Sequence, residues 1–139
     1  MTADDCPACA GRWPRADHRI AELGHSIAYL HEDQFFPGWT LLVLKRHATE
    51  LFDLTREERA ELIEEVSGVA QALAASFSAL KVNYELLGNQ IPHIHWHVVP
   101  RLPGDPAPRG PAWLVEHAPR PLSPDELSER IQRIRSGLR

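Results

Sequence analysis

No apolar run in the 139 residues approaches the roughly eighteen that a membrane-crossing helix needs, so no membrane span is expected. The opening stretch, MTADDCPACAGRW, is acidic and poor in apolar side chains. That excludes a secretory signal and leaves a cytoplasmic location as the expectation. Blocks of like charge are missing too. The net charge is −4 and its carriers are dispersed, which argues against a nucleic-acid surface but not against a local pocket for nucleotides. Cysteine occurs only twice, as Cys6 and Cys9. Cytosolic thiols stay reduced, so no disulfide between them is expected. Their C-x-x-C spacing reads as two incidental thiols, half of a metal site, or a redox motif. There is no internal repeat. The glycine pattern of a double-sheet jelly roll is also missing, which counts against a cupin-like metal oxygenase.

What is present is ordinary in bulk, with 43% hydrophobic and 24% charged residues in a length suited to one domain with a real core. Residues 18–33 read as two short strands joined at Gly24, and 38–47 as a β-rich run after the Pro37-Gly38 turn. A short helical turn is expected in ATELFDL. Thr55 and Glu58 then form a capping-box pattern. Leu62, Ile63, Val66, Val69, Ala70, Leu73, Phe77 and Leu80 follow at steps of three and four, predicting an amphipathic helix over 55–80. Strands are expected at 81–88 and at 93–99, the latter bounded by Pro92 and Pro100. Six of the twelve prolines fall in 102–121, which reads as an extended arm. A last helix starts at Ser123, with Pro124 in its first turn and Glu126 completing a second capping box. The order predicts an α+β protein with a mainly antiparallel sheet. The expected division is a core at 1–101, the arm at 102–121 and a helix at 122–139, all in one domain.

GNQIPHIHWHVVPR, residues 88–101, carries three histidines at every second position. On a strand, His93, His95 and His97 share one face, while Ile94, Trp96 and Val98 take the other, under the long helix. A solvated polar face is the simplest alternative. Strict alternation opposite bulky apolar residues points instead to chemistry. Neighbours in the row are roughly 6.6 Å apart and the outer pair roughly 13 Å, too far to share one ion bound at about 2.0–2.1 Å. An H-x-H pair with a ligand from elsewhere stays open. Nucleophilic catalysis fits better: a neutral imidazole offers one lone pair for attack and one N–H to be held by a partner. Its neighbours can donate to charge growing on a phosphoryl group. Gly88 allows close backbone approach, and Asn89 and Gln90 can donate to phosphate oxygens.

HIHWHVV resembles the signature of the histidine triad (HIT) family, and NYELLGNQIPHIHWHVVPR is similar to bacterial members described as diadenosine tetraphosphate hydrolases. The likeness runs over about residues 6–101 and includes CPAC and EDQFFPGWTLLVLKRHATELFDL. It implies a HIT-like fold: a five-stranded, mainly antiparallel sheet with one long helix and a C-terminal helix packed on it, usually as a homodimer. It further implies a nucleotide hydrolase or transferase in which His95 attacks an α-phosphorus to form a nucleotidyl-histidine. His97 and Gln90 would contact phosphate and His93 would orient the site, with no metal needed for the chemistry. Substrates would be dinucleoside polyphosphates or nucleoside phosphoramidates. Gln90 departs from the Ser or Thr common in relatives, and His31 stands where they carry the Asn or Asp that contacts ribose. A subset of relatives holds structural zinc, which would here use Cys6, Cys9, His47 and His93. The alternative is a nucleotide-binding regulator of the same fold with little turnover.

Overall fold

The computed structural model describes residues 2–138; Met1 and Arg139, the outer ends of the first and last expected segments, lie outside it. Its strands are β1 (Arg19–Glu22), β2 (Ser26–Leu30), β3 (Thr40–Leu44), β4 (Lys81–Glu85) and β5 (His95–Arg101). Its helices are α1 (Arg56–Phe77) and α2 (Pro124–Gly137). The strands form one sheet in the order β1-β2-β3-β5-β4, and every neighbouring pair is antiparallel. This is the expected five-stranded α+β architecture. Both helices cover the same face. Among the described residues no helix is long and apolar enough to cross a membrane.

α1 forms where its apolar spacing and its cap agree. Thr55 Oγ1 accepts the Glu58 N–H at 3.1 Å and Glu58 Oε2 accepts the Thr55 N–H at 3.0 Å, satisfying two otherwise orphaned donors. Val66, Val69, Ala70, Leu73 and Phe77 bury against Ile20, Ala28, Leu30, Leu42, Val82 and Val98 of the sheet. Each of the larger side chains, from valine up, contributes roughly 1.5–3 kcal/mol on leaving water. The helix is shorter than its periodicity predicts. Ser78 turns left-handed, with φ 51° and ψ 48°, and its N–H caps the Ala74 carbonyl. Leu80 therefore leaves the apolar stripe and is 76% exposed. α2 repeats the cap: Ser123 Oγ accepts the Glu126 N–H at 3.2 Å. Ile131 and Ile134 then seal the edge of the same core.

Two corrections concern β5. It begins at His95 instead of residue 93, and it runs through Pro100 instead of stopping before it. β3 ends opposite Val98, so at Pro100 the strand has only β4 beside it, paired Val82 to Pro100. That is the edge setting in which a missing N–H is tolerated. Gly38 fits against this proline. A Cβ there would lie 2.8 Å from Pro100 Cγ and 2.9 Å from Phe77 Cε2, and φ is +89°, so no other residue suits the turn into β3.

The Pro-rich arm departs from the extended course expected of it: residues 103–110 run through turns and bends, in which the Asp105 N–H donates to the Leu102 carbonyl and the Gly110 N–H to the Ala107 carbonyl, each at 3.1 Å, one turn of 3₁₀ helix follows at Ala112–Leu114, and the stretch after it is free of turns. The arm lies on the sheet face opposite the helices. Buried Ala112 packs with Phe36, Trp39 and Val99.

Candidate active site and metal centre

The helix-free face of β5 presents His95 and His97, opposite Val43 and Leu41 of β3. Both are buried, being 5% and 6% exposed. Period-two alternation places them there as expected, with Trp96 and Val98 against the core under α1 and Ile94 against Leu62 of that helix.

Hydrogen bonds fix the ring tautomers, because a carbonyl oxygen can only accept. His95 Nδ1 lies 2.6 Å from the His93 carbonyl, so Nδ1 carries the proton and Nε2 holds a free lone pair. His97 is the reverse. The Trp39 indole N–H donates to His97 Nδ1 at 3.1 Å, which leaves the proton on Nε2 as a donor. One ring thus offers a lone pair and the next an N–H, with centroids 5.2 Å apart. Burial is the main force lowering the pKa of both. His95 falls below the ordinary 6.5, and His97, which also faces His95 and His31, falls to about 3. Both rings are neutral at pH 7.

The depressed pKa of His97 makes a stability prediction. Its unfolded form takes up a proton below pH 6.5 while the folded form does not, so stability is complete above 6.5 and drains away toward pH 3. We expect unfolding free energy to fall by up to about 1.4 kcal/mol per pH unit from this residue alone. Urea titrations of His97→Gln between pH 7 and 4 should show a shallower slope; an unchanged slope would contradict the neutral buried ring.

A cleft of about 360 Å³ opens over the two histidines. Gly88, Asn89 and Gln90 form one rim, and His31 lies on the wall. Gly88 is needed for conformation more than for space: φ is +81°, and a Cβ would meet nothing nearer than 3.7 Å. His31 stacks on Trp39 at 4.7 Å, and its Nδ1 accepts the Asp33 N–H at 3.0 Å. Burial lowers its pKa also. Buried Gln34 holds this loop in place, donating to the carbonyls of His31 and Trp39 and accepting the Gly38 N–H.

Three members lie outside the set of site residues expected from the sequence. Trp13 meets the His95 ring edge-on at 4.9 Å, Trp39 supplies the donor to His97, and Trp113 reaches in from the arm. Trp39 was readable, since it alternates with Leu41, the partner of His97. Trp13 had no local signal, because its position depends on how the N-terminal segment is tethered.

That tether is the cysteine pair. His93 precedes β5 and turns away from the cleft. Its Nε2 donates to the Leu44 carbonyl at 2.7 Å, so its Nδ1 lone pair faces Cys6 Sγ at 3.4 Å, Cys9 Sγ at 3.6 Å and His47 Nδ1 at 3.3 Å. All four donor atoms lie within 4.8 Å of one another. Tetrahedral zinc, with bonds of about 2.0 Å to nitrogen and 2.3 Å to sulfur, separates its ligand atoms by roughly 3.3–3.8 Å. The residues fit a structural zinc, and the Leu44 carbonyl supplies the outer hydrogen bond that orients a ligating imidazole. His93 is divided between two tasks: its ring faces the two cysteines and His47, and its carbonyl holds His95.

The sheet topology and the row of paired histidine tautomers define a histidine-triad protein. The chain belongs to the HIT domain family, which matches residues 15–104. A histidine triad protein from Sinorhizobium meliloti 1021 superposes with a TM-score of 0.80 at 34% identity, covering 86% of this chain and 88% of its own. A Zn-bound histidine triad family protein from Mycobacterium smegmatis superposes with a TM-score of 0.71 at 25% identity, over 98% of this chain and 94% of its own. Adenosine 5'-monophosphoramidase hnt1 of Schizosaccharomyces pombe is 25% identical over 87% of this chain and 88% of its own. The asymmetrical bis(5'-nucleosyl)-tetraphosphatase of the same yeast is 32% identical over 58% of this chain and 47% of its own.

Proposed function

We propose that the protein is a nucleotide hydrolase or nucleotidyl transferase that opens a P–N or P–O bond at the α-phosphate of a nucleotide through a covalent His95 intermediate. The observation that carries this reading is the His95 Nδ1–H to His93 carbonyl bond of 2.6 Å, which leaves Nε2 as a free nucleophile in a cleft. In the first step Nε2 attacks the α-phosphorus and forms a P–N bond, while the leaving group departs with the electrons of the bond that breaks. Positive charge grows on the imidazole and is held by the His93 carbonyl at Nδ1. His97 Nε2–H donates to a phosphate oxygen or to the departing atom, and Asn89 and Gln90 on the rim add donors. Water then attacks the nucleotidyl-histidine, releases the mononucleotide and returns the lone pair to Nε2.

Similarity to the phosphoramidase extends over most of the chain, and similarity to the tetraphosphatase over little more than half. Nucleoside phosphoramidates are therefore the first substrates to try and dinucleoside polyphosphates the second. Cys6, Cys9, His47 and His93 would hold zinc, which when bound supplies structure at the N-terminus and takes no part in bond breaking.

The direct test is to mix the protein with adenosine phosphoramidate or diadenosine tetraphosphate, quench in alkali, and weigh the intact chain. An added AMP on His95 is expected. No adduct and no product from either substrate would leave a nucleotide-binding protein with little turnover. His97→Ala should keep the adduct but slow the cycle by about 10²–10³, the usual value of one lost phosphate donor; a loss below tenfold would remove His97 from the chemistry.

A further inference from the structure

Three arginines dock α2, and they reach different parts of the chain. Arg135 Nε donates to the Ile20 carbonyl of β1 at 2.8 Å, and Arg133 donates to the Ser76 carbonyl in the last turn of α1. Arg130 reaches the cleft instead. Its Nη1 donates at 3.0 Å to the side-chain oxygen of Gln34, in the loop between β2 and β3 whose His31 walls the cleft. Among the described residues no carboxylate lies within ion-pair distance of Arg130. Burial is the main force lowering its pKa below the usual arginine value, opposed by Glu129 and Glu126 and aided by Arg120 and Arg133. A half-buried guanidinium without a paired carboxylate is a cost to folding. What it gains here is a grip on Gln34.

The Gln34 amide is 1% exposed and fully engaged. Its Nε2 donates to the His31 and Trp39 carbonyls at 2.9 and 3.0 Å, and its Oε1 accepts the Gly38 N–H at 2.9 Å beside the Arg130 bond. The amide closes residues 31–39 into one unit from inside. A charged donor on Oε1 polarises the amide and strengthens both bonds from Nε2, because linked hydrogen bonds reinforce one another away from water. The unit ends at Trp39, whose indole N–H donates to His97. We propose that Arg130 is a positioning residue for the cleft: acting through Gln34, it keeps Trp39 where the indole holds the His97 proton on Nε2, so that α2 takes part in setting the donor of the site. The effect on rate rests on the reading of the cleft given above; the effect on the His97 ring does not.

The test records the histidine ring nitrogens by proton–nitrogen correlation spectra at pH 7 in the wild type, Arg130→Met, Arg130→Lys and Arg135→Met. Wild-type His97 should show a bare Nδ1 and a protonated Nε2. In Arg130→Met the two nitrogen shifts should move toward each other as the other tautomer gains population. There kcat on adenosine phosphoramidate should fall about fivefold with KM changed less than twofold, a fraction of the loss of about 10²–10³ expected when a phosphate donor is removed outright. A single bond to one oxygen asks for a charged donor and not for the guanidinium fork, so lysine should recover most of both effects. Arg135→Met removes a different anchor of α2; it should lower the melting temperature and leave the His97 spectrum and kcat as in the wild type. An unchanged His97 spectrum in folded Arg130→Met overturns the proposal. So does an equal change in Arg135→Met, which would make both arginines supports of α2 alone. If Arg130→Met does not fold, Arg130→Gln removes the charge but keeps a polar end, and the same spectrum decides. If the wild type cleaves neither adenosine phosphoramidate nor diadenosine tetraphosphate, the hydrolase reading fails, and the His97 spectrum, which needs no turnover, still decides Arg130.

Discussion

His95→Asn should reduce kcat by on the order of 10⁴–10⁶, the scale seen when a covalent nucleophile is removed, while the affinity for AMP stays within a few-fold. Asparagine is chosen because its amide N–H can still donate to the His93 carbonyl, now 2.6 Å from the His95 ring nitrogen. The backbone geometry and the polarity of the cleft floor are kept. What disappears is the lone pair at the position of Nε2. At about 1.4 kcal/mol per decade, the loss corresponds to roughly 5–8 kcal/mol of transition-state stabilisation, too much for a hydrogen bond alone. Single-turnover kinetics and calorimetric binding measure the two quantities separately. Turnover above a hundredth of wild type would mean that His95 is not the nucleophile. Lost AMP binding in a protein that melts normally would mean that its main task is to hold the ligand.

Much of this could be read from the residues because the informative patterns are local. A capping box needs only Thr55 and Glu58 three residues apart, and Ser123 and Glu126 repeat it; both form as read. Alternation along HIHWHVV predicts which ring faces the cleft, because side-chain direction on a strand follows a period of two. The errors lie where local pattern yields to tertiary structure. Leu80 continues the spacing of α1, yet Ser78 has already turned the chain toward β4. Pro100 looks like the end of a strand, yet the shortness of β3 leaves room for it inside one. His93 belongs to the histidine row in sequence and not to the strand in space, and this is why it can turn its ring toward two cysteines that are more than eighty residues away. The aromatic walls were the least legible part. Trp13 depends on the tether at Cys6 and Cys9, and Trp113 on Arg101 and Asp105, so neither position follows from its own neighbours. Proline content predicts an extended arm, yet the bonds of Arg101 to Asp105, Ala107 and Gly110 close residues 103–110 into turns that no local pattern announces.

Removing metal should be the most damaging change to stability. We expect the purified protein to contain one zinc per chain by elemental analysis, and a strong chelator to lower its melting temperature by about 10–15 °C. The figure follows from linkage. An ion present at about a thousand times its dissociation constant contributes roughly 4 kcal/mol, and a chain of this length shifts by about 3–4 °C per kcal/mol. Four donor atoms within 4.8 Å, with Cys6 fully buried, would otherwise have to pack two thiols and two imidazoles together with few partners beyond each other. Cys9→Ser should lose the metal and reproduce the shift without chelator; Cys9 is the better choice because it is exposed and its loss leaves no cavity. The same change should lower kcat about tenfold with little effect on KM, since the His93 ring faces the metal centre while its carbonyl fixes the His95 tautomer. A metal-free protein that melts at the same temperature would show that the four residues are held by packing alone. Lower stability with unchanged kcat would show that the Leu44 carbonyl suffices to orient His93, and that the metal centre and the nucleophile are neighbours without being coupled.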